Sequence, residues 1–112
     1  MSITVEDIRK SMRISHNGLD GLLQTDIEAG ADELFRAGVK AFETDAEGNF
    51  ILDNLGNRII RDIPLIKKAI ELYAKGMEDF EEKGDMYMKR FEMLRDSMAV
   101  SKEYRCEMKL SD

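Results

Sequence analysis

Pro64-Leu65-Ile66-Lys67-Lys68-Ala69-Ile70-Glu71-Leu72-Tyr73-Ala74-Lys75-Gly76-Met77-Glu78-Asp79-Phe80-Glu81-Glu82 is the stretch that decides the fold class. Ile66, Ala69, Ile70, Tyr73, Met77 and Phe80 recur every three or four residues, the period of an amphipathic helix. Lys67, Lys68, Glu71, Lys75, Glu78 and Glu82 fill the opposite face. Pro64 suits a first helical turn, and Asp62 is the expected cap. Leu65, Leu72 and Gly76 widen the apolar arc beyond the roughly 100° of an ordinary surface helix. A helix with so wide an arc is expected to touch more than its own core.

Downstream, Lys83-Gly84 breaks the pattern and Asp85 is a candidate cap for a further helix running to about Tyr104. That helix carries two apolar stripes. Tyr87, Phe91, Leu94 and Met98 form one, and Met86, Met93 and Val100, seven residues apart, form another with Tyr104 close to its line. At roughly 100° per residue the two stripes stand about 120° apart, so one serves the core and the other is left for a partner. Met86, Met88, Met93 and Met98 crowd this helix. Methionine is unbranched and polarizable, and it suits surfaces that repack against different partners; Met98 reads as core and Met86 and Met93 as interface.

Upstream, Asp45 to Asp62 changes character. Phe50-Ile51-Leu52 and Arg58-Ile59-Ile60 flank Asp53-Asn54-Leu55-Gly56-Asn57, which predicts a short β-hairpin over about residues 49–61. Before it, Leu23, Ile27, Ala31 and Leu34 predict a helix from Leu19 to about Val39, extendable to Phe42. Ala29, Gly30, Ala31, Ala37 and Gly38 are small and let a neighbouring helix approach closely. A first helix is expected from Val5 to about Arg13, with Val5, Ile8 and Met12 on one face. Thr4 is its cap, and Asp7 three residues on makes a variant capping box. Ser15-His16-Asn17-Gly18 reads as a turn. No internal repeat or low-complexity segment is read in the chain. The expected architecture is mostly α: a small bundle of about four helices, residues 1–104, with the hairpin inserted between helices 2 and 3 and an extended tail at 105–112.

Composition narrows the function classes. Of the 112 residues, 43% are apolar and 36% charged, the balance of one folded domain and not of a disordered chain. A net charge of −6 argues against tight binding to phosphate backbones. A helix-turn-helix made of the first two helices would read DNA with Asp20, Asp26, Glu28, Asp32 and Glu33 against the single Arg36, and phosphate would repel it. Cys106 is the only cysteine, so no intramolecular disulfide forms, which fits a reducing compartment. No run reaches the ~18 apolar residues of a membrane span, and Met1 to Glu6 lack the pattern of a signal peptide. The chain is expected to be soluble and made in a cytoplasm.

Chemistry-bearing constellations are sparse. His16 is the only histidine and sits in a turn, where a capping or exposed role is expected. Cys106 reads as an incidental thiol. Asp79, Glu81, Glu82 and Asp85 read as a solvated helix end. Asp45, Glu47 and Asn49 resemble the start of a calcium loop, but Phe50 stands where the sharp turn needs glycine and Gly56 where the loop needs a bidentate glutamate. No catalytic residue, cofactor or metal is expected, and the chain is read as a binding protein and not an enzyme.

Several blocks resemble the head–tail connector (adaptor) family of long-tailed double-stranded-DNA phages. They are Thr4-Val5-Glu6-Asp7-Ile8, Met12-Arg13-Ile14-Ser15-His16, Leu19-Asp20-Gly21-Leu22-Leu23 and Ile27-Glu28-Ala29-Gly30, then Pro64, Lys68-Ala69-Ile70 and Tyr73. They span about residues 3–34 and 62–80, and they are packing and capping motifs. The resemblance implies a homo-oligomeric ring of about twelve copies in the virion neck. Such a ring sits below the portal protein, extends the DNA channel without sequence-specific binding, and presents a surface to a stopper or tail protein. It implies no cofactor and no membrane. A closed head-to-tail ring needs two different faces per subunit. Leu65 and Leu72 are the candidates for one, Met86, Met93, Val100 and Tyr104 for the other, and Arg105, Met108, Lys109 and Leu110 for docking to portal or tail. The alternative reading is an acidic helical interaction module, such as a small regulator or inhibitor, which would pair through one self-complementary face.

Overall fold

In a computed structural model, which describes residues 4–12, 20–78, 80–101 and 103–105, the chain is mostly helical. Its elements are α1 (Val5–Ser11), α2 (Asp20–Arg36), α3 (Pro64–Met77), a 3-10 turn at Phe80–Glu82, and α4 (Gly84–Ala99). The turn expected at 15–18 lies outside the described residues, as do His16 and Cys106.

The start of α1 follows its sequence signal. Thr4 Oγ1 accepts from the Asp7 N–H at 3.2 Å, and Asp7 Oδ2 accepts from the Thr4 N–H at 2.9 Å, completing the reciprocal box. The end of α2 is a correction. The helix stops at Arg36, short of the expected Val39, because Gly38 takes φ +100°. The Gly38 N–H donates to Phe35 O at 3.0 Å and the Val39 N–H to Leu34 O at 2.9 Å. Those two bonds close a Schellman motif, with buried Val39 packed back toward buried Leu34. Gly38 therefore terminates a helix and does not serve helix–helix approach. Gly30 does: a Cβ there would lie 3.2 Å from Tyr73 Cδ2, so the missing side chain is what lets α3 close onto α2.

α3 also ends early, at Met77 instead of Glu82. The chain passes through Glu81 and Glu82 with φ of +55° and +59°, a conformation no α-helix continues through. Asp62 does not cap α3: the N-cap is Ile63, without a side-chain bond, and Asp62 pairs with Lys67 Nζ at 2.9 Å. Nor does Asp85 cap α4, whose N-cap is Lys83; Asp85 sits in the first turn, where its charge favours the helix N-terminus.

α3 is the centre of the packing. α2 and α4 flank it, and α1 meets both α2 and α3. The core comprises Ile8 and Met12 of α1 and its cap, Leu23, Ile27, Ala31 and Leu34 of α2, Ile66, Ala69, Ile70, Leu72 and Ala74 of α3, and Phe91 and Met98 of α4, together with Val39, Ala41, Phe42 and Ile60 from the segment between α2 and α3. Tyr73 stands edge-on to Phe91 with centroids 5.0 Å apart, joining the two longest stripes. The molecule is a slab of 47 × 33 × 17 Å. At 17 Å it is under two helix diameters thick, so outer helices keep an uncovered side.

The β-hairpin expected over 49–61 is not formed, and among the described residues there is no sheet. The backbone there makes only isolated bridges: Phe42 opposite Ile60, Phe50 opposite Thr44, Arg58 opposite Leu52. In a two-stranded ladder a hydrogen-bonded pair exchanges both bonds with one partner. Here Ile51 donates to Glu43 O at 3.0 Å, Ile59 donates to Ile51 O at 3.1 Å, and Glu43 donates to Ile59 O at 2.8 Å. Three segments thus share their bonds around a closed triangle, and no pair of them forms a ladder.

That triangle exposes a repeat which the reading of the sequence missed. Asp45-Ala46-Glu47-Gly48-Asn49-Phe50-Ile51-Leu52 is followed directly by Asp53-Asn54-Leu55-Gly56-Asn57-Arg58-Ile59-Ile60. In each copy the Asp Oδ1 accepts two backbone N–H groups, from Glu47 and Asn49 or from Leu55 and Asn57, at 2.8–2.9 Å. Each copy's glycine takes positive φ, +87° at Gly48 and +84° at Gly56. The Asn49 N–H, first among these donors, holds the Asp45 carboxyl below its ordinary range. These carboxylates are engaged in closing turns, which is what the calcium-loop resemblance at Asp45 amounts to. Phe42, Phe50 and Arg58, spaced by eight, gather on one side: Phe42 and Phe50 centroids lie 5.5 Å apart and Arg58 Cζ sits 4.1 Å from the Phe42 ring centroid. Phe35, at the end of α2, meets both rings at 5.8 and 5.4 Å. Asp32, one turn earlier, takes Arg58 Nη2 at 3.0 Å. The module is thereby pinned to the C-terminal end of α2.

Candidate functional site

The packing sorts the two stripes of α4. Phe91 and Met98 are buried, and Tyr87 and Leu94 pack against the core half-covered. Of the other stripe, Met93 is 66% exposed and Val100 77%, whereas Met86 is half-buried beside an open groove that it lines with Gly76, Lys83 and Met88. Two of the three expected interface residues of this stripe therefore stand on an outward face. Tyr104 does not join them. It is half-buried against the core, and its carbonyl accepts from the Lys40 N–H at 2.7 Å.

On α3 the two interface candidates separate. Leu65, in the first turn, is 37% exposed, but Leu72 is 6% exposed and belongs to the core. The wide apolar arc is used inside the domain because α3 is packed on two sides, by α2 and α4. Leu72 is thus corrected from interface to core residue. Arg105 is exposed and forms a bridge with Val39, so the described chain stays tied to the body through residue 105, one residue past the expected boundary. Met108, Lys109 and Leu110, the remaining docking candidates, lie outside the described residues.

Sequence reasoning missed a second exposed apolar surface. Leu55 is 85% exposed at the tip of the second Asp-x-x-Gly-Asn turn, with Leu52 at 55% and Ile51 at 41% nearby. A large aliphatic residue between an Asx turn and a positive-φ glycine was the signal available.

The electrostatic outlier lies elsewhere, between α2 and α3. Asp26 is 5% exposed, and its Oδ2 meets no hydrogen-bond donor among the described residues. Desolvation first, then the facing carboxyl of Glu78, pushes its pKa up to about 7. Tyr73, one turn along the same contact, is raised chiefly by burial, with Glu33 and Asp26 adding to it. Among the described residues no group of three or more His, Cys, Asp or Glu side chains is placed to hold a metal ion. No described helix is long and apolar enough to cross a membrane.

Comparison with family models, with curated proteins and with solved structures gave no match to this chain.

Proposed function

We propose that the chain is a structural subunit of a homo-oligomeric ring of the head–tail connector type, docking below a portal and extending a DNA channel toward the tail. The observation that carries the proposal is the division of α4 into a buried stripe and an outward one, Met93 and Val100. A second, separate apolar surface supports it: Leu55, Leu52 and Ile51 on the repeat module. Two unlike faces on one subunit suit head-to-tail contacts, which close into rings, better than the single self-complementary face of a dimer. The resemblance of the N-terminal blocks and of the α3 segment names the kind of ring. The net charge of −6 fits a channel wall past which DNA slides without being held. Portal and stopper or tail proteins are the partners in this proposal, and the virion neck is the location.

The test is the double variant Met93→Glu/Val100→Glu, followed by sedimentation velocity and circular dichroism. The expected outcome is loss of the assembled species with helical content and melting temperature kept. An unchanged assembled species would overturn the assignment of this face.

A further inference from the structure

We propose that Asp26 and Glu78 form a proton-held latch between α2 and the α3–α4 corner: with one shared proton the corner is held on α2, and with both carboxyls ionised it is released. The placement follows from the packing. Gly30 of α2 lies against Tyr73 of α3, and one turn back on α2 Asp26 faces Glu78, just over one turn further along α3. Two carboxylates cannot hydrogen-bond each other. A single proton between them makes the bond, and it gives the buried Asp26 Oδ2, which meets no donor among the described residues, a hydrogen-bonded role.

Among the described residues, no donor substitutes for that proton at Asp26 Oδ2. From α3 the other titratable group is the Tyr73 hydroxyl. On α2, Glu33 and Arg36 lie further along, at Tyr73, and are 3.8 Å from each other. Lys75 of α3 is turned instead to the rings of Phe80 and Tyr87, at 5.6 and 5.4 Å. Among the described residues Asp26 has no ion-pair partner. Glu78 is the C-cap residue of α3, so the pair stands where that helix ends and the corner begins.

The corner that the latch holds is under load. Glu81 and Glu82 follow each other in the left-handed region, where each non-glycine residue is strained. Removing the proton subtracts one bond and adds one repulsion at the base of this strained turn. Because the Asp26 carboxyl is pushed up to about 7, the latch is closed at mildly acidic pH and open at mildly alkaline pH.

Hydrogen exchange of the full chain at about pH 5.5 and 8.5, corrected for intrinsic rates, tests this. The amides of residues 80–86 are expected to exchange about tenfold faster at the higher pH, with those of Ile66 to Ile70 unchanged. Asp26→Asn, which keeps a donor at every pH, is expected to abolish the difference, and Glu78→Gln to do the same by another route. Equal protection of the wild-type corner at the two pH values overturns the proposal, as does a pH difference that survives in both variants.

Discussion

Asp26 is the residue whose chemistry is most at odds with its surroundings. Burial and the facing Glu78 carboxyl push its folded-state pKa up to about 7, well above the 3.8 of a free aspartate. Between those two values the folded chain holds a proton that the unfolded chain has released. Stability from this group is therefore complete below about pH 4, falls as pH rises toward about 7, and levels off above it. Asp26→Asn should remove that slope, so that the variant gains on the order of 2–4 kcal/mol over wild type between pH 4.5 and pH 8. Urea denaturation at several pH values checks this; parallel stability curves for the two proteins would refute it. Gly76 gives the opposite kind of prediction. A Cβ there would sit 2.9 Å from Met88 Cε and 3.2 Å from the Met88 backbone nitrogen. The flexible methyl can move and the backbone cannot, so Gly76→Ala should cost about 1–3 kcal/mol despite the better helix propensity of alanine. Thermal melts of the two proteins decide it.

At the scale of elements, the close of the chain matters more than its sequence suggests. The Tyr104 carbonyl bonds Lys40, and Arg105 bridges Val39 just after the Schellman turn of α2. The chain truncated after Arg105 gives the reference melting temperature. Truncation after Ser101 should lower it by several degrees, about 1 kcal/mol for the lost bonds and the packing of Tyr104. Equal melting temperatures for the two truncations would remove this tie from the account. The helices themselves were legible because their signals are local: the Thr4–Asp7 box, Pro64 at the head of α3, and periodic apolar residues. Their ends were less so. Gly38 looked like one more small residue in a helix, and only its positive φ shows it to be the stop. The hairpin was misread because the segment from Ala41 to Thr44, which takes one side of the triangle, reads as the frayed end of α2. An eight-residue period also belongs to no regular element, so a search tuned to 2 and 3.6 passes over it. The outward stripe of α4 was legible, but Leu72 was not placed correctly, because periodicity gives the width of an apolar arc without saying how many neighbours cover it.

At the scale of the molecule, the slab places α3 at the centre and leaves two unlike apolar surfaces, one on α4 and one on the repeat module. In the proposed ring these are the two sides of one repeated contact. Leu55→Asn should then weaken assembly as Met93→Glu/Val100→Glu does, with stability unchanged to within about 0.5 kcal/mol, since neither surface supports the fold. Loss of assembly in the α4 variant alone would leave Leu55 without a role in the contact. The central claim is the closed ring, and native mass spectrometry of the full chain across a range of concentrations tests it most directly. The expected result is a discrete closed species of about twelve copies, with no series of intermediates growing beyond it. A species of one or two copies at every concentration would contradict it.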